Sequence, residues 1–144
     1  MLVVHSGCGK PTKAVNSGDA ICLAGLAPYH DTHKIDENGR VIEVTLEGRQ
    51  VDDAALIHLQ NLSELRRLSL YGSSITDEGL TKLSGLKYLE GLGLGKTQIT
   101  DHGLIHLEKM PSLHWVWLTE DPQITDQAVE NLKKKALPGL TVYR

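Results

Sequence analysis

The sequence predicts an α/β fold in which short strands and short helices alternate and the strands share one parallel sheet. Three observations carry this expectation. A phrase opened by Val51, Ile75, Ile99 and Ile124 recurs at spacings of 24, 24 and 25 residues. A second phrase, apolar-x-x-apolar-x-apolar, falls between its copies. The 144 residues also include 23 Leu, 20 of them between Leu46 and Leu140, and no Phe. A fixed period of this size marks a stacked-repeat architecture, and a core without Phe has to be built from leucine.

The elements follow in chain order. Residues 1–17 read as a tail, with linker composition from Gly9 to Ser17. Within it, Ser6-Gly7-Cys8 resembles the cleavage box of bacterial lipoproteins, in which the cysteine becomes the lipidated first residue. That resemblance implies a lipid anchor at Cys8 and a cell-envelope location; without it the expected location is cytoplasmic. His5 stands where the box usually has an aliphatic residue, and only Met1 to Val4 remain of the apolar region such a signal needs. The same stretch is not a phosphate-binding loop, because Val4 stands where the first glycine is required and Pro11 where Ser or Thr must follow the lysine. Residues 18–40 read as an N-terminal cap. Ala20, Ile21, Leu23, Ala24 and Leu26 suit a short helix ended by Pro28, and Asn38-Gly39 between Ile35 and Val41 signals a two-residue hairpin. Cys22, inside the apolar run, reads as a buried inert thiol.

Residues 41–144 hold the repeats, expected as five strands and four helices. Residues two apart on a strand share a face, so Val44 with Leu46, Leu68 with Leu70, and Leu92 with Leu94 point inward. After each strand, Asp53, Asp77, Asp101 and Asp126 precede apolar residues three apart, the pattern of a helix with Asp as its N-cap. A single strand and helix cannot bury their leucines alone, whereas stacked copies build a continuous core.

The phrase Ile-Thr-Asp-x-Gly-Leu-x-x-Leu at Ile75 and Ile99 resembles the leucine-rich repeat, most closely its cysteine-containing subclass found in F-box receptors and in bacterial proteins. No F-box precedes the repeats. The resemblance implies a solenoid with a curved parallel sheet, helices on the convex side and protein recognition as its use. The family often places Asn or Cys three residues after the last strand leucine, to bond neighbouring backbone. Here those positions are Arg49, Ser73, Thr97 and Asp121; the hydroxyls and the carboxylate are expected to take that role, and Arg49 is not.

The outward strand positions are where a binding site is expected. Arg67 and Tyr71 flank a strand whose outward positions are all glycine, Gly91, Gly93 and Gly95. Trp115 and Trp117 stand on its other side, with Tyr143 beyond. The predicted result is a shallow trough floored by backbone and walled by Trp, Tyr and Arg, the residue types that dominate protein interfaces. The same indoles lying flat would shield the glycine strand; both readings fit the sequence.

Other classes are argued against. A formal charge of −3, from 15 basic and 18 acidic residues, gives no basic excess for nucleic acid. No run approaches the roughly 20 apolar residues of a membrane span. His102 and His106 are four apart, yet Gly103 stands where a metalloprotease helix needs Glu, so no metal, cofactor or catalytic residue is expected. The favoured function is a non-enzymatic protein-binding module, monomeric or weakly self-associating. The alternative is a structural unit that pairs with a copy of itself through the last strand, which ends at Arg144 with nothing following.

Overall fold

The computed structural model describes residues 14–136 and 139–144. It is a mixed α/β structure with one six-stranded sheet in the order β1-β2-β3-β4-β5-β6, for Thr32–Ile35, Val41–Thr45, Arg67–Ser69, Gly91–Gly93, Trp115–Trp117 and Thr141–Tyr143. β1 runs antiparallel to β2, and every later pairing is parallel and in one register. The five repeat strands stand where the apolar phrases put them, and β1 is the outer arm of the hairpin.

The connecting elements are shorter than a leucine spacing of three suggests. Ala55–Leu59 is a 3-10 helix, not an α-helix. α2 spans Asp77–Thr81 and α3 Leu104–Leu107; only α4, Asp126–Lys135, makes several turns. Each strand–helix unit occupies about two dozen residues, which leaves room for a turn or so of helix between strands 4.8 Å apart. At the other end, α1 spans Ser17–Leu26 and packs on the 3-10 helix Ala55–Leu59. Asn16 caps it, its side chain accepting from the Asp19 amide at 3.0 Å, so the helix starts ahead of the apolar run. The buried Asp19 carboxylate accepts from the Val41 amide at 2.7 Å and ties α1 to the first parallel strand.

The hairpin loop is longer than Asn-Gly alone suggests. The Asp36 amide donates to the Arg40 carbonyl at 2.9 Å, so Glu37, Asn38 and Gly39 form the loop, with Gly39 at φ 74°. A three-residue loop whose last residue is left-handed is the next commonest hairpin after the two-residue one.

Leucines fill the interior as expected. Val44, Leu46, Leu70, Leu92 and Leu94 have no exposed surface, and one continuous apolar cluster runs from Cys22 to Leu132. Burial pushes the Cys22 thiol above its usual value.

The repeat aspartates do not cap the helices that follow them. Thr76 and Thr125 occupy the N-cap positions of α2 and α4, and Ala54 and Gly103 those of the other two. The carboxylates instead bond the threonine of the next unit. Asp53 accepts from the amide and hydroxyl of Thr76 at 2.9 and 2.6 Å. Asp77 does the same with Thr100 at 2.7 and 2.6 Å, and Asp101 with Thr125 at 2.7 and 2.7 Å. A short helix leaves its first amides near solvent, whereas the neighbouring amide and hydroxyl present two donors to one carboxylate. Asp126 closes the series on the Arg144 guanidinium, which also donates to the Ile124 carbonyl at 2.6 Å.

Candidate functional site

The glycine strand β4 forms the floor of a groove of about 430 Å³ on the outward face. Parallel register sets its walls: Arg67, Gly91 and Trp115 stand side by side, as do Ser69, Gly93 and Trp117. Glu47, Arg67, Tyr71 and Trp117 line the groove with the three glycines, whereas Trp115 and Tyr143 lie outside it. Trp115 tilts against His114, ring centroids 5.6 Å apart. Tyr143 stacks on the far face of Trp117 at 5.4 Å and 11°, bracing it.

Both ends of the glycine strand are partly covered. The six-membered ring of Trp117 lies 3.4 Å from where a Cβ on Gly91 would stand, and the Tyr71 ring and the Thr119 hydroxyl lie 3.0 and 2.5 Å from that point on Gly95. At Gly93, between them, the three atoms nearest such a Cβ all belong to Ser69, at 3.5 to 3.8 Å, and the glycine keeps some exposed surface. The aromatics therefore shield the two ends and leave an opening at the middle. Trp117 is still 40% exposed and Tyr71 37%, so neither ring is spent on shielding.

A strap crosses the groove at its turn end. The Tyr71 hydroxyl donates to Glu120 Oε1 at 2.5 Å, from the turn after β3 to the turn after β5. That bond, before any effect of burial, raises the tyrosine's pKa, because the phenol is the donor. Glu120 belongs to a slot no motif revealed: Gly48, Gly72, Lys96 and Glu120 recur every 24 residues at φ 98°, 70°, 57° and 63°. Two units use glycine there, as left-handed backbone favours. The other two hold charged residues, whose side chains lie 3.9 Å apart at the groove rim. Only the period, applied to positions outside the leucines, could have exposed this slot.

The charges on the face mostly cancel. Glu43 takes Lys34 Nζ at 2.6 Å on Oε1 and Arg67 at 3.6 Å on Oε2. Glu120 takes Tyr71 and Lys96. Among the described residues the Glu47 carboxylate, exposed on the groove wall, has no ion pair.

The polar positions after the strands behave differently from expectation. Asp121 Oδ1 accepts from the Thr97 amide at 2.9 Å, as a neighbour-bonding residue should. The Ser73 and Thr97 hydroxyls do not: both are buried without a hydrogen-bond partner among the described residues, as is Asp121 Oδ2. Their short side chains do not span the distance that Asp covers. Burial is the main reason the Asp121 pKa is raised, its bonds to backbone working the other way. Arg49, which was not expected to join this set, is exposed.

On the helix side, Asp101, His102, Ile105 and Lys135 line a smaller cleft of about 260 Å³ between α3 and α4. The described residues hold no group of three His, Cys, Asp or Glu side chains placed for a metal ion. No described helix is long and apolar enough to cross a membrane. Cys8, with the lipidation box, lies outside the described residues.

No family model matches the chain, and no curated protein matches it. Among solved structures, it is similar to an internalin (inlF) from Listeria monocytogenes str. 4b F2365, at 19% identity and a TM-score of 0.41, over 61% of this chain and 30% of that one. The chain thus spans under a third of that structure's length, and a likeness of this order assigns it neither a fold nor a function.

Proposed function

We propose that the chain is a leucine-rich-repeat solenoid that binds a protein partner on its outward strand face, without catalysis. One observation carries the reading: an open groove floored by Gly93 and walled by Trp117, Tyr71 and Arg67, with both rings held in place and still over a third exposed. Fixed aromatic walls lose little side-chain freedom when a partner binds. Trp115 and Tyr143 extend the same face beyond the groove. The elements before β2 act as the N-terminal cap, since α1 packs on the 3-10 helix of the first unit and β1 pairs along the edge of β2.

Affinity capture from source-cell extract tests this with three baits: wild type, a Tyr71→Ala/Trp117→Ala variant, and a helix-side Ile105→Ser variant. A partner held by wild type and Ile105→Ser but lost from the double variant is expected. A partner lost only from Ile105→Ser would move the site to the helix side.

A further inference from the structure

We propose that the turn position shared by Ser73, Thr97 and Asp121 is an internal water-binding site, in which two bound water molecules join the three side chains in a row across three successive units. The site shares no residue with the groove lining.

The sequence spaces these residues 24 apart, and the sheet brings them side by side. Ser69, Gly93 and Trp117, each four residues earlier, are paired across β3, β4 and β5. Past the strands the Gly72 amide donates to the Gly95 carbonyl and the Lys96 amide to the Thr119 carbonyl, at 2.9 Å each, so the units keep step into the turn. The Thr97 amide then donates to Asp121 Oδ1.

The row runs through an apolar wall. In the chain Ser73 lies between Leu70 and Ile75, Thr97 between Leu94 and Ile99, and Asp121 between Leu118 and Ile124, and all six aliphatic residues are at most 1% exposed. Ser73 and Asp121 are themselves only 4% exposed. Ser73 Oγ, Thr97 Oγ1 and Asp121 Oδ2 are all buried with no hydrogen-bond partner among the described residues. An unpaired polar atom is costly in such surroundings, so each of the three requires a partner that no side chain supplies.

Distance selects that partner. Equivalent atoms of neighbouring units stand about 4.8 Å apart, too far for two hydroxyls to bond directly. Two hydrogen bonds of about 2.8 Å meeting at a tetrahedral angle span about 4.6 Å, which is the reach of one water. One water bridges Ser73 Oγ to Thr97 Oγ1, and a second bridges Thr97 Oγ1 to Asp121 Oδ2. Each gains two polar partners, enough to hold a buried water. Water both donates and accepts, so it serves Asp121 in either protonation state. A metal ion suits the row poorly, because a single carboxylate is present and no three His, Cys, Asp or Glu among the described residues are grouped for one. Asp121 also borders the cleft lined by Pro122 and Arg144, which brings solvent to that end of the row.

Oxygen-17 relaxation dispersion, which counts waters held longer than the protein takes to tumble, compares wild type with Ser73→Ala/Thr97→Val. The double variant is expected to hold two fewer such waters and to melt about 3 °C or more below wild type. An unchanged water count overturns the proposal, and so does a melting temperature at or above wild type, which would mark the hydroxyls as dry. Should the double variant not fold, the wild-type chain decides by high-resolution crystallography. An ordered water within about 3.2 Å of both Ser73 Oγ and Thr97 Oγ1, and another on Asp121 Oδ2, is expected. Either hydroxyl bonded directly to protein with no water beside it overturns the proposal.

Discussion

At the scale of single residues, Asp121 shows how a repeat position can favour one protonation state. Its carboxyl is buried, its Oδ2 has no partner among the described residues, and its pKa is raised chiefly by burial. A raised folded-state value means the native state holds this proton more tightly than the unfolded chain does. The associated stability is therefore present at low pH and is lost as pH rises through the folded-state value. Asp101 has the opposite sign: bonds from the Thr125 amide and hydroxyl lower its pKa, and its stabilisation is lost as pH falls through that value. Asp121→Asn keeps the acceptor for Thr97 and removes the ionisation, so its melting temperature at pH 7 should equal or exceed wild type, with the gap narrowing toward pH 3. Lys96 offers a second check. A non-glycine residue at φ 57° carries a steric cost of roughly 1–2 kcal/mol, so Lys96→Gly should raise the urea midpoint by the equivalent of about 0.5–1 kcal/mol after the chain-entropy loss.

At the scale of the element, the aspartate ladder explains the phrase Ile-Thr-Asp-x-Gly better than helix capping does. Thr is there to meet the preceding unit's Asp, and the first phrase, Val51-Asp52-Asp53, lacks Thr in the one unit without an aspartate of that slot before it. The glycine makes room: a Cβ on Gly79 or Gly103 would stand 2.2 or 2.3 Å from the Oδ1 of Asp53 or Asp77. Gly103→Ala gains up to about 1 kcal/mol of helix propensity but strains a charged hydrogen bond worth about 1.5–3 kcal/mol. A net loss of about 1 kcal/mol in chemical denaturation is expected. Ala128 fills the same slot in the last unit with the Asp101–Thr125 bonds intact, so the strict need for glycine belongs to the two middle units. Arg144 replaces the next unit's donors on Asp126 and Ile124; Arg144→Ala should lower the melting temperature and increase amide exchange in α4 and β6.

The leucine period made the parallel order, the five repeat strands and the location of the core legible from sequence, because inward positions tolerate little but aliphatic residues. It also put Arg67, Tyr71 and Trp117 around one glycine strand. What it could not show depends on contacts between units. Asp before a short apolar run reads as an N-cap whether its carboxylate turns to its own helix or to the neighbour's threonine. Ser73 and Thr97 match a bonding position in residue type but fall short in reach. The Tyr71–Glu120 strap joins residues 49 positions apart, and no local pattern announces it. Trp115 and Trp117 look equivalent by alternation, yet one leans on His114 and the other walls the groove.

At the scale of the whole molecule, the structure separates two faces with different chemistry. The helix side carries charged pairs such as Lys135–Glu108 at 3.5 Å, exposed aliphatic residues such as Ile57 and Ile105, and a cleft of mixed lining. The strand side carries both tryptophans, Tyr71 and Tyr143, each between 37% and 44% exposed. Leucine fills the interior so completely that most of the chain's few aromatics stand outside, on one face. Iodide quenching of the tryptophan emission, with and without the captured partner, is the sharpest check on the strand face as the binding surface, because both fluorophores lie on it. A partner seated there should cut the quenching constant at least twofold at saturation and leave it unchanged with Arg67→Ala/Tyr71→Ala protein that no longer binds. A saturated complex of wild-type protein whose tryptophans remain as accessible to iodide as in the free chain would rule the strand face out.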